Sequence, residues 1–214
     1  MNGHLVADAV AKPTLRGVAH QWAFLAAVVA GAALFLSAPS LPIAIYALSL
    51  CAMLGTSAAY HRGRWSPAAR GVMRRLDHSM IFLLVAGTYT PFAAFVLDDT
   101  TGTIVLIVVW SGALAGIAMT LLWINAPRVL TALAYVALGW VIVFATPQLV
   151  DRAGIACMAL LAAGGVLYTI GAVVYATKRP DPRPLVFGFH EVFHTFVVAA
   201  AAAHFVAVAL YATP

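Results

Sequence analysis

The sequence predicts an all-α membrane protein: a bundle of seven transmembrane helices with a cytoplasmic N-terminus and a C-terminus outside. Of its 214 residues, 64% are hydrophobic and only 9% are charged. The mean hydropathy of +0.97 lies outside the range of soluble domains. Seven apolar stretches are long enough to cross a hydrocarbon layer about 30 Å thick, which requires about 20 helical residues.

The seven stretches take up nearly the whole chain, so we expect a single transmembrane domain over residues 1–214. Residues 1–15 form a short cytoplasmic segment before the first helix. That helix is too long for a cleaved signal peptide and lacks the small-residue cleavage pattern. In chain order the predicted segments are residues 18–37, 41–60, 77–97, 103–123, 129–146, 154–176 and 187–211.

The connections between these segments predict how the helices are arranged. Most of them are very short, which makes consecutive helices antiparallel neighbours. The longest, residues 62–75 (RGRWSPAARGVMRR), is predicted to be a loop whose arginines suit the headgroup layer. Residues 177–185 (TKRPDPRPL) contain three prolines and predict a stiff, non-helical connection.

The distribution of basic residues predicts the orientation of the bundle. Eleven of the twelve lysines and arginines fall in the N-terminal segment or in the second, fourth and sixth connections, and only Arg152 falls in the fifth. The positive-inside rule assigns the face with those eleven to the cytoplasm. The isoelectric point near 9.6 then reflects topology and contact with anionic lipids, and no nucleic-acid partner is expected. The Ala-rich composition suggests a multi-pass protein of the plasma (inner) membrane.

Polar groups with metal-binding chemistry recur at the ends of three apolar stretches. His190 and His194 open the seventh in HEVFH, Ser57 and His61 close the second in SAAYH, and Asp77 opens the third in RRLDH. Residues four apart share one face of a helix, so each pair presents its side chains together. The predicted topology brings all five to one depth at the cytoplasmic face. Ionisable groups at such positions are costly, and by default they indicate function.

Three neutral imidazoles around an ion with an open fourth position suit catalytic zinc, which can lower the pKa of bound water to about 7. We therefore predict His61, His190 and His194 as metal ligands. Asp77 is the predicted hydrogen-bond acceptor and general base for the water. Ser57 is predicted to hold the same water or to donate to a developing oxyanion.

Two other interpretations of these residues stay open at this point. The five groups can hydrogen-bond one another across the bundle without a metal. HEVFH also matches the zincin pattern H-E-x-x-H, in which Glu191 would be the general base of a metalloprotease. The zincin interpretation lacks a third ligand, because the only later histidine, His204, lies about 15 Å further along the helix. Glu191 is expected to pair with an arginine of a cytoplasmic loop or with a ligating imidazole.

The remaining candidates carry weaker signals. His78 is rotated by about 100° from its neighbour Asp77 around the helix, which favours a supporting or interhelical hydrogen bond over ligation. His204 is expected to be a hydrogen-bonded core histidine. Arg16 and His20 are expected to contact the rim of the site or lipid phosphates.

Four motifs in sequence order resemble the hemolysin III family of bacterial membrane proteins, namely KPTLRGVAH (residues 12–20), SAAYHR, LDHSMIFLLVAGTYTPF and GFHEVFHTFVV. That family is similar to the progestin and adipoQ receptors and, more distantly, to the alkaline ceramidases. The resemblance covers nearly the whole chain and implies seven helices, a cytoplasmic N-terminus and a zinc ion. Carried over by motif, it implies His61, His190 and His194 as ligands, with Asp77 and Ser57 near the zinc-bound water.

The sequence thus predicts a zinc-dependent hydrolase that acts on a lipid amide or another acyl lipid, with membrane lipids as its partners. The lipid substrate follows from the position of the site just inside the cytoplasmic interface. An alternative is a non-enzymatic receptor or regulator of membrane homeostasis, whose structural zinc would take Asp77 as a fourth ligand. Pore formation, which the family name suggests, ranks last because no segment is a strongly amphipathic, charge-lined helix.

Overall fold

The computed structural model describes residues 12–214, which form seven α-helices and one 3-10 helix. Within these residues there is no β-strand, and an isolated bridge joins Arg183 to Phe187. The predicted all-α class is confirmed, whereas most of the predicted N-terminal segment 1–15 lies outside the described residues. The elements are α1 (Val18–Ser37), α2 (Leu41–Arg62), α3 (Pro67–Phe95), α4 (Asp99–Leu122), α5 (Arg128–Gly139), the 3-10 helix (Trp140–Ala145), α6 (Thr146–Thr177) and α7 (Phe189–Tyr211).

Six helical stretches of the described chain are long and apolar enough to cross a membrane, judged by length and composition. Five of them are α1, α2, α3, α4 and α7. The sixth is the continuous stretch Arg128–Thr177, which joins α5, the 3-10 helix and α6. It contains both the fifth and the sixth predicted segments, so the structure has no long loop between them.

The sixth stretch folds back on itself. The guanidinium carbon of Arg128 lies 5.8 Å from the ring centre of Tyr175, whereas a straight helix would hold these residues about 70 Å apart. The indole N–H of Trp140 likewise donates to the hydroxyl of Thr169 at 3.0 Å. The helical backbone is broken at Gly154, with φ 81° and ψ 167°, a conformation that glycine adopts without steric cost. The halves before and after this region therefore pack side by side.

The turn of this helical hairpin lies beside the connection between α3 and α4. The side-chain amide of Gln148 donates to the carboxylate of Asp98 and, at 2.8 Å, to the hydroxyl of Thr101. The guanidinium of Arg152 donates to the carbonyl of Val96 at 3.3 Å. The two connections therefore share one end of the bundle, and the loops rich in arginine lie at the other.

Helix α3 begins at Pro67, ten residues before the start predicted from hydropathy, so most of the predicted loop 62–75 is helical instead. Ser66 caps the helix, because its hydroxyl accepts a hydrogen bond from the backbone N–H of Ala69 at 3.3 Å. Pro67 occupies the first position, where its missing N–H costs nothing. The arginines in this first part lower its hydropathy, but a helix in the headgroup layer needs no apolar residues. The proline-rich connection before α7 is non-helical, as predicted.

Each helix packs against its sequence neighbours, and α1 also packs against α7, which places the first and last helices side by side. The largest buried side chains belong to α2 and α3, for example Tyr46, Phe82 and Phe92. Large apolar side chains on the outer faces are exposed, among them Leu122 (87%) and Phe144 (85%). Lipid tails are as apolar as these side chains, so such a surface is stable in a bilayer.

Candidate metal centre

The first turn of α7 is fixed by hydrogen bonds to its free backbone N–H groups. A carboxylate oxygen of Glu191 accepts from the N–H of Gly188 at 2.8 Å, and Asp181 accepts from the N–H of Phe189 at 2.8 Å. These bonds satisfy donors that every helix leaves unpaired at its start. They also place an acidic side chain where the helix dipole favours it. The turn that carries His190, and the next turn with His194, are thereby held in place.

Three imidazoles from two helices converge at this point. His61 lies in the last turn of α2, and its Nε2 is 3.1 Å from Nε2 of His190. The ligand atoms of His61, His190 and His194 all lie within 4.8 Å of one another. His61 and His194 are buried, and His190 is partly buried. The structure therefore brings together the three histidines that the sequence predicted as ligands.

The spacing of these histidines fits a metal ion. Around a tetrahedral ion with metal–nitrogen bonds of about 2.0–2.1 Å, ligating nitrogens lie about 3.4 Å apart. The observed separation of 3.1 Å between His61 and His190 is close to that value. The ligand nitrogen of His194 lies within 4.8 Å of the other two, so a movement of its side chain would bring it to bonding distance of the same ion. A set of three imidazole nitrogen donors, two of them from buried residues, is typical of a divalent transition metal site.

The two predicted partners of the site also lie at the cluster. Asp77, on α3, is buried, and its Oδ2 is 3.7 Å from Nε2 of His61. Ser57 is buried one turn before His61 on α2, and it lines the same cavity as Asp77 and His194. All five predicted site residues are therefore neighbours, contributed by α2, α3 and α7.

Glu191 does not face the histidine cluster as a general base would. Its Oε1 lies 2.5 Å from Nε of Arg16, and its other oxygen accepts from Gly188. Only 3% of the Glu191 side chain is exposed, so the ion pair is buried on the glutamate side. The predicted pairing with an arginine is confirmed, although Arg16 precedes α1 and is not in a loop between helices. The zincin interpretation finds no support in this geometry.

The other histidines of the described chain occupy different surroundings. Nε2 of His204 lies 3.2 Å from the carbonyl of Leu161 on α6, so the predicted hydrogen bond is confirmed, although His204 is only partly buried. The ring of His78 faces the edge of Tyr175, with ring centres 6.5 Å apart. His78 lines the cavity beside Asp77 but is not a member of the three-histidine group.

His20 is a part of the site that sequence reasoning missed. It was expected at the rim, yet it is only 2% exposed, and its ring stacks on that of His194 with centres 3.8 Å apart and planes 2° apart. The contact depends on the packing of α1 against α7, which no spacing within one helix can indicate. The available signal was a histidine in the first turn of an apolar helix, directly after a basic segment.

A cavity lined by His190 and His194 extends from the cluster into the bundle between α3, α5, α6 and α7. Five polar residues line it beside the cluster, namely His20, Ser57, Asp77, His190 and His194, whereas most of the remaining lining is apolar or aromatic, with Thr88, Thr169 and His204 among it. It passes Tyr135, Tyr175 and Phe193 and reaches Trp140 and Gly165 at its far end. This arrangement joins a polar, metal-competent end to a long apolar space.

Positive charge gathers on the outer side of the cluster. The pKa of Lys12 lies below its usual range, first because the group is partly buried and then because Arg70, Arg16 and Arg62 repel its charge. These groups come from the segment before α1, the end of α2 and the first part of α3. The site thus lies at the basic end of the bundle.

The chain is similar in sequence to a known protein family and to several known proteins. The family described as Haemolysin-III related matches residues 9–205 of this chain. The chain is 34% identical to a Hemolysin-3 homolog of Bacillus subtilis over 142 residues. This aligned region covers 66% of this chain and 64% of that protein. It is 33% identical over 148 residues to Hemolysin-3 of Bacillus cereus, covering 69% and 65%. The human Monocyte to macrophage differentiation factor is 23% identical over 171 residues, covering 78% and 68%.

The matched region spans slightly less than two thirds of the length of the two bacterial relatives. The family match, in contrast, extends over nearly all of this chain and includes every residue of the cluster. It confirms the resemblance drawn from the four motifs. This chain belongs to the Haemolysin-III related family.

Proposed function

We propose that this protein is a zinc-dependent membrane hydrolase that acts on a lipid amide or another acyl lipid. The proposal is carried by one observation: three clustered histidines lie with Ser57 and Asp77 at one end of a largely apolar cavity. Hydrolysis needs a source of activated water, a proton acceptor and a space for the substrate. The cluster and the cavity offer residues suited to each of these tasks.

The three histidines are suited to hold zinc with one position free. When bound, zinc would supply Lewis acidity and lower the pKa of a coordinated water to about 7. The chain itself would supply the rest. Asp77 would accept the proton of the attacking water, and its Oδ2 already lies 3.7 Å from a ring nitrogen of His61. Ser57 would orient that water or donate a hydrogen bond to the substrate oxygen as negative charge develops.

A lipid substrate is supported by the lining of the cavity. Beyond the polar end, side chains such as Phe193, Val197 and Ala172 surround the space. An acyl chain would bury apolar surface there at about 25 cal/mol per Å². The scissile carbonyl, near the headgroup, would then lie at the polar end beside the histidines.

We further propose that seven segments cross the plasma membrane, with the N-terminus and the cluster at the cytoplasmic face. The fold of the stretch Arg128–Thr177 back on itself supports two crossings within it. The gathering of eleven basic residues in segments that would share one face supports the orientation.

A second function, a non-enzymatic receptor or membrane-homeostasis regulator, is favoured by the position of Asp77. At 3.7 Å from the His61 nitrogen, its carboxylate is near enough to become a fourth protein ligand after a small movement. A closed set of four protein ligands is typical of structural zinc. The two functions therefore differ in whether Asp77 contributes to metal binding.

The deciding experiment measures zinc per chain by mass spectrometry on detergent-solubilised wild type, His194→Ala and Asp77→Ala, together with hydrolysis of a panel of ceramides and phospholipids. The hydrolase predicts about one zinc in wild type and in Asp77→Ala, its loss in His194→Ala, and no hydrolysis by either variant. Loss of zinc in Asp77→Ala supports the structural alternative. A folded wild type that takes up no zinc contradicts both.

A further inference from the structure

The segment from Thr14 to His20 contacts both of the helices that carry the three histidines. The backbone N–H groups of Thr14 and Leu15 donate to the carbonyls of Leu185 and Val186, at 3.0 and 3.2 Å, in the connection before α7. The same short segment then provides the Arg16–Glu191 ion pair and the His20–His194 stack. Two contacts thus tie it to the connection before α7, and two more tie it to the first turns of α7 itself.

The segment also approaches the end of α2 too closely for a side chain at one position. Gly17 has φ +79°, and a Cβ there would lie 2.6 Å from Cβ of His61 and 3.4 Å from Cγ of Arg62. Only glycine combines this left-handed backbone with so close an approach. The segment therefore touches His61 on one side and the start of α7 on the other.

The ion pair acts on the helix turn that carries His190. Glu191 adjoins that histidine, and its second oxygen holds the N–H of Gly188 at the helix start. A buried carboxylate requires a compensating charge, and Arg16 supplies it at 2.5 Å. The pair thereby fixes the position and rotation of the first turn of α7 without touching the ligand nitrogens.

The stack acts on the ring of His194. Two planes only 2° apart and 3.8 Å between centres leave the imidazole of His194 little freedom to rotate about its side-chain bonds. Nδ1 of His194 has no hydrogen-bond partner among the described residues. The face of His20 is therefore the contact that sets the plane of this ring, a task that a neighbouring hydrogen bond performs in many metal sites.

We propose that Arg16 and His20 are positioning residues for the three-histidine cluster. This inference rests on the metal binding of the proposed function, but not on hydrolysis. Arg16 holds the first turn of α7 through Glu191, and His20 holds the ring plane of His194 through stacking. Neither side chain is assigned to the metal.

The test compares zinc affinity, measured by competition with a chromophoric chelator, in wild type, His20→Leu and His20→Phe. Loss of a residue that orients a ligand typically weakens metal binding 10- to 100-fold. We expect a weakening of about that size in His20→Leu and near wild-type affinity in His20→Phe, which keeps a flat stacking ring. Equal weakening in both variants, or none in His20→Leu, overturns the proposal for His20.

A matched control separates positioning from general stability. His204→Leu also removes an imidazole inside the bundle, a partly buried one that bonds a carbonyl far from the cluster. We expect it to lower the thermal stability of the metal-free protein without changing zinc affinity. If His20→Leu changes zinc affinity no more than His204→Leu does, His20 is only a packing residue.

The ion pair is tested by a double-mutant cycle with Arg16→Met, Glu191→Gln and the double variant. If Arg16 acts through Glu191, the double variant binds zinc no more weakly than the weaker single one, since no charge is left unpaired. If the losses of zinc affinity in the two single variants multiply in the double variant, the proposal that Arg16 acts through Glu191 is overturned. Wild type that binds zinc but hydrolyses no lipid sinks the proposed function and leaves this inference intact. Wild type that binds no zinc overturns both.

Discussion

Ser57 and Ser79 are two buried hydroxyls whose surroundings predict opposite outcomes of the same substitution. Ser57 lines the cavity beside Asp77, whereas Ser79 bonds the hydroxyl of Thr120 at 2.8 Å, away from the cluster. If the proposed hydrolysis is correct, Ser57→Ala should lower kcat by about 10²- to 10³-fold, the usual cost of removing one donor to a developing charge. Zinc content should not change.

Ser79→Ala provides the control for this substitution. It removes one of the two hydrogen bonds of the Thr120 hydroxyl, which still donates to the carbonyl of Ile117 at 2.9 Å. The substitution should therefore cost about 1 kcal/mol of stability and leave kcat at the wild-type value. Rates measured on a responsive lipid, with unfolding followed in parallel, decide the matter. Equal loss of kcat in both variants would show that Ser57 acts only through packing.

Asp98 predicts an acid-sensitive contribution to stability at the end of the bundle opposite the cluster. It caps α4, and the backbone N–H of Thr101 holds the pKa of its carboxyl below the usual range, with help from the side chains of Thr101 and Gln148 and from Arg152. A lowered folded pKa stabilises the protein above the unfolded value of about 3.9. This stabilisation is lost as pH falls through the folded value.

Asp98→Asn should therefore flatten the acid limb of the stability curve below about pH 4, because asparagine still caps but does not titrate. Thermal unfolding in detergent across that pH range measures the slope. Asp99→Asn removes an equal charge from the same turn without removing the cap, so it should keep the wild-type slope. An unchanged slope in Asp98→Asn contradicts the role assigned to this cap.

At the scale of elements, two adjacent residues of α6 have opposite surroundings. Ala172 lines the cavity, and Val173 is 55% exposed on the outer face. Ala172→Phe should fill part of the space proposed for an acyl chain, so hydrolysis of long-chain lipids should fall while that of short-chain analogues persists. Val173→Phe should leave the chain-length profile unchanged. Identical profiles in the two variants would show that this cavity does not hold the chain.

The elements were readable from sequence wherever apolar length alone determines them. Hydropathy located α1 at the same residues that the structure shows, and it missed the first part of α3 because arginines there lower the average. Ser66 followed by Pro67 was the local signal for that helix start. The sequence predicts that α5 and α6 pack together, but it predicts a loop between them. The structure has almost no loop there, because the chain turns at Gly154.

The candidate site was readable to the extent that it follows from spacing plus topology. Spacing of four residues paired His190 with His194 and Ser57 with His61, and topology added Asp77. The contacts of His20 and Arg16 were not readable, because they depend on α1 lying beside α7. Contacts between such distant parts of the chain can be identified only from the three-dimensional structure.

At the scale of the whole molecule, the fold of Arg128–Thr177 decides the number of crossings: a single crossing by this stretch would give six, whereas its two folded halves give seven. Seven crossings place the termini on opposite faces, whereas six place them on one. Asp98 and Gln148 are in contact, so the turns that carry them lie at the same end of the bundle. Asp151 should therefore be on the same side of the membrane as Thr100, and the positive-inside rule makes that side external.

Cysteine labelling tests this in a background that lacks both native thiols, Cys51 and Cys157. In intact cells, a membrane-impermeant maleimide should label single cysteines at Thr100, Asp151 and Thr213. Cysteines at Arg64 and Arg179 should react only after the membrane is permeabilised. Those two positions lie at the end where basic side chains and the histidine cluster gather, so their protection would place the cluster in the cytoplasm. Protection of Asp151 together with labelling of Thr100 would instead mean that the hairpin does not cross, and would contradict the seven-helix topology.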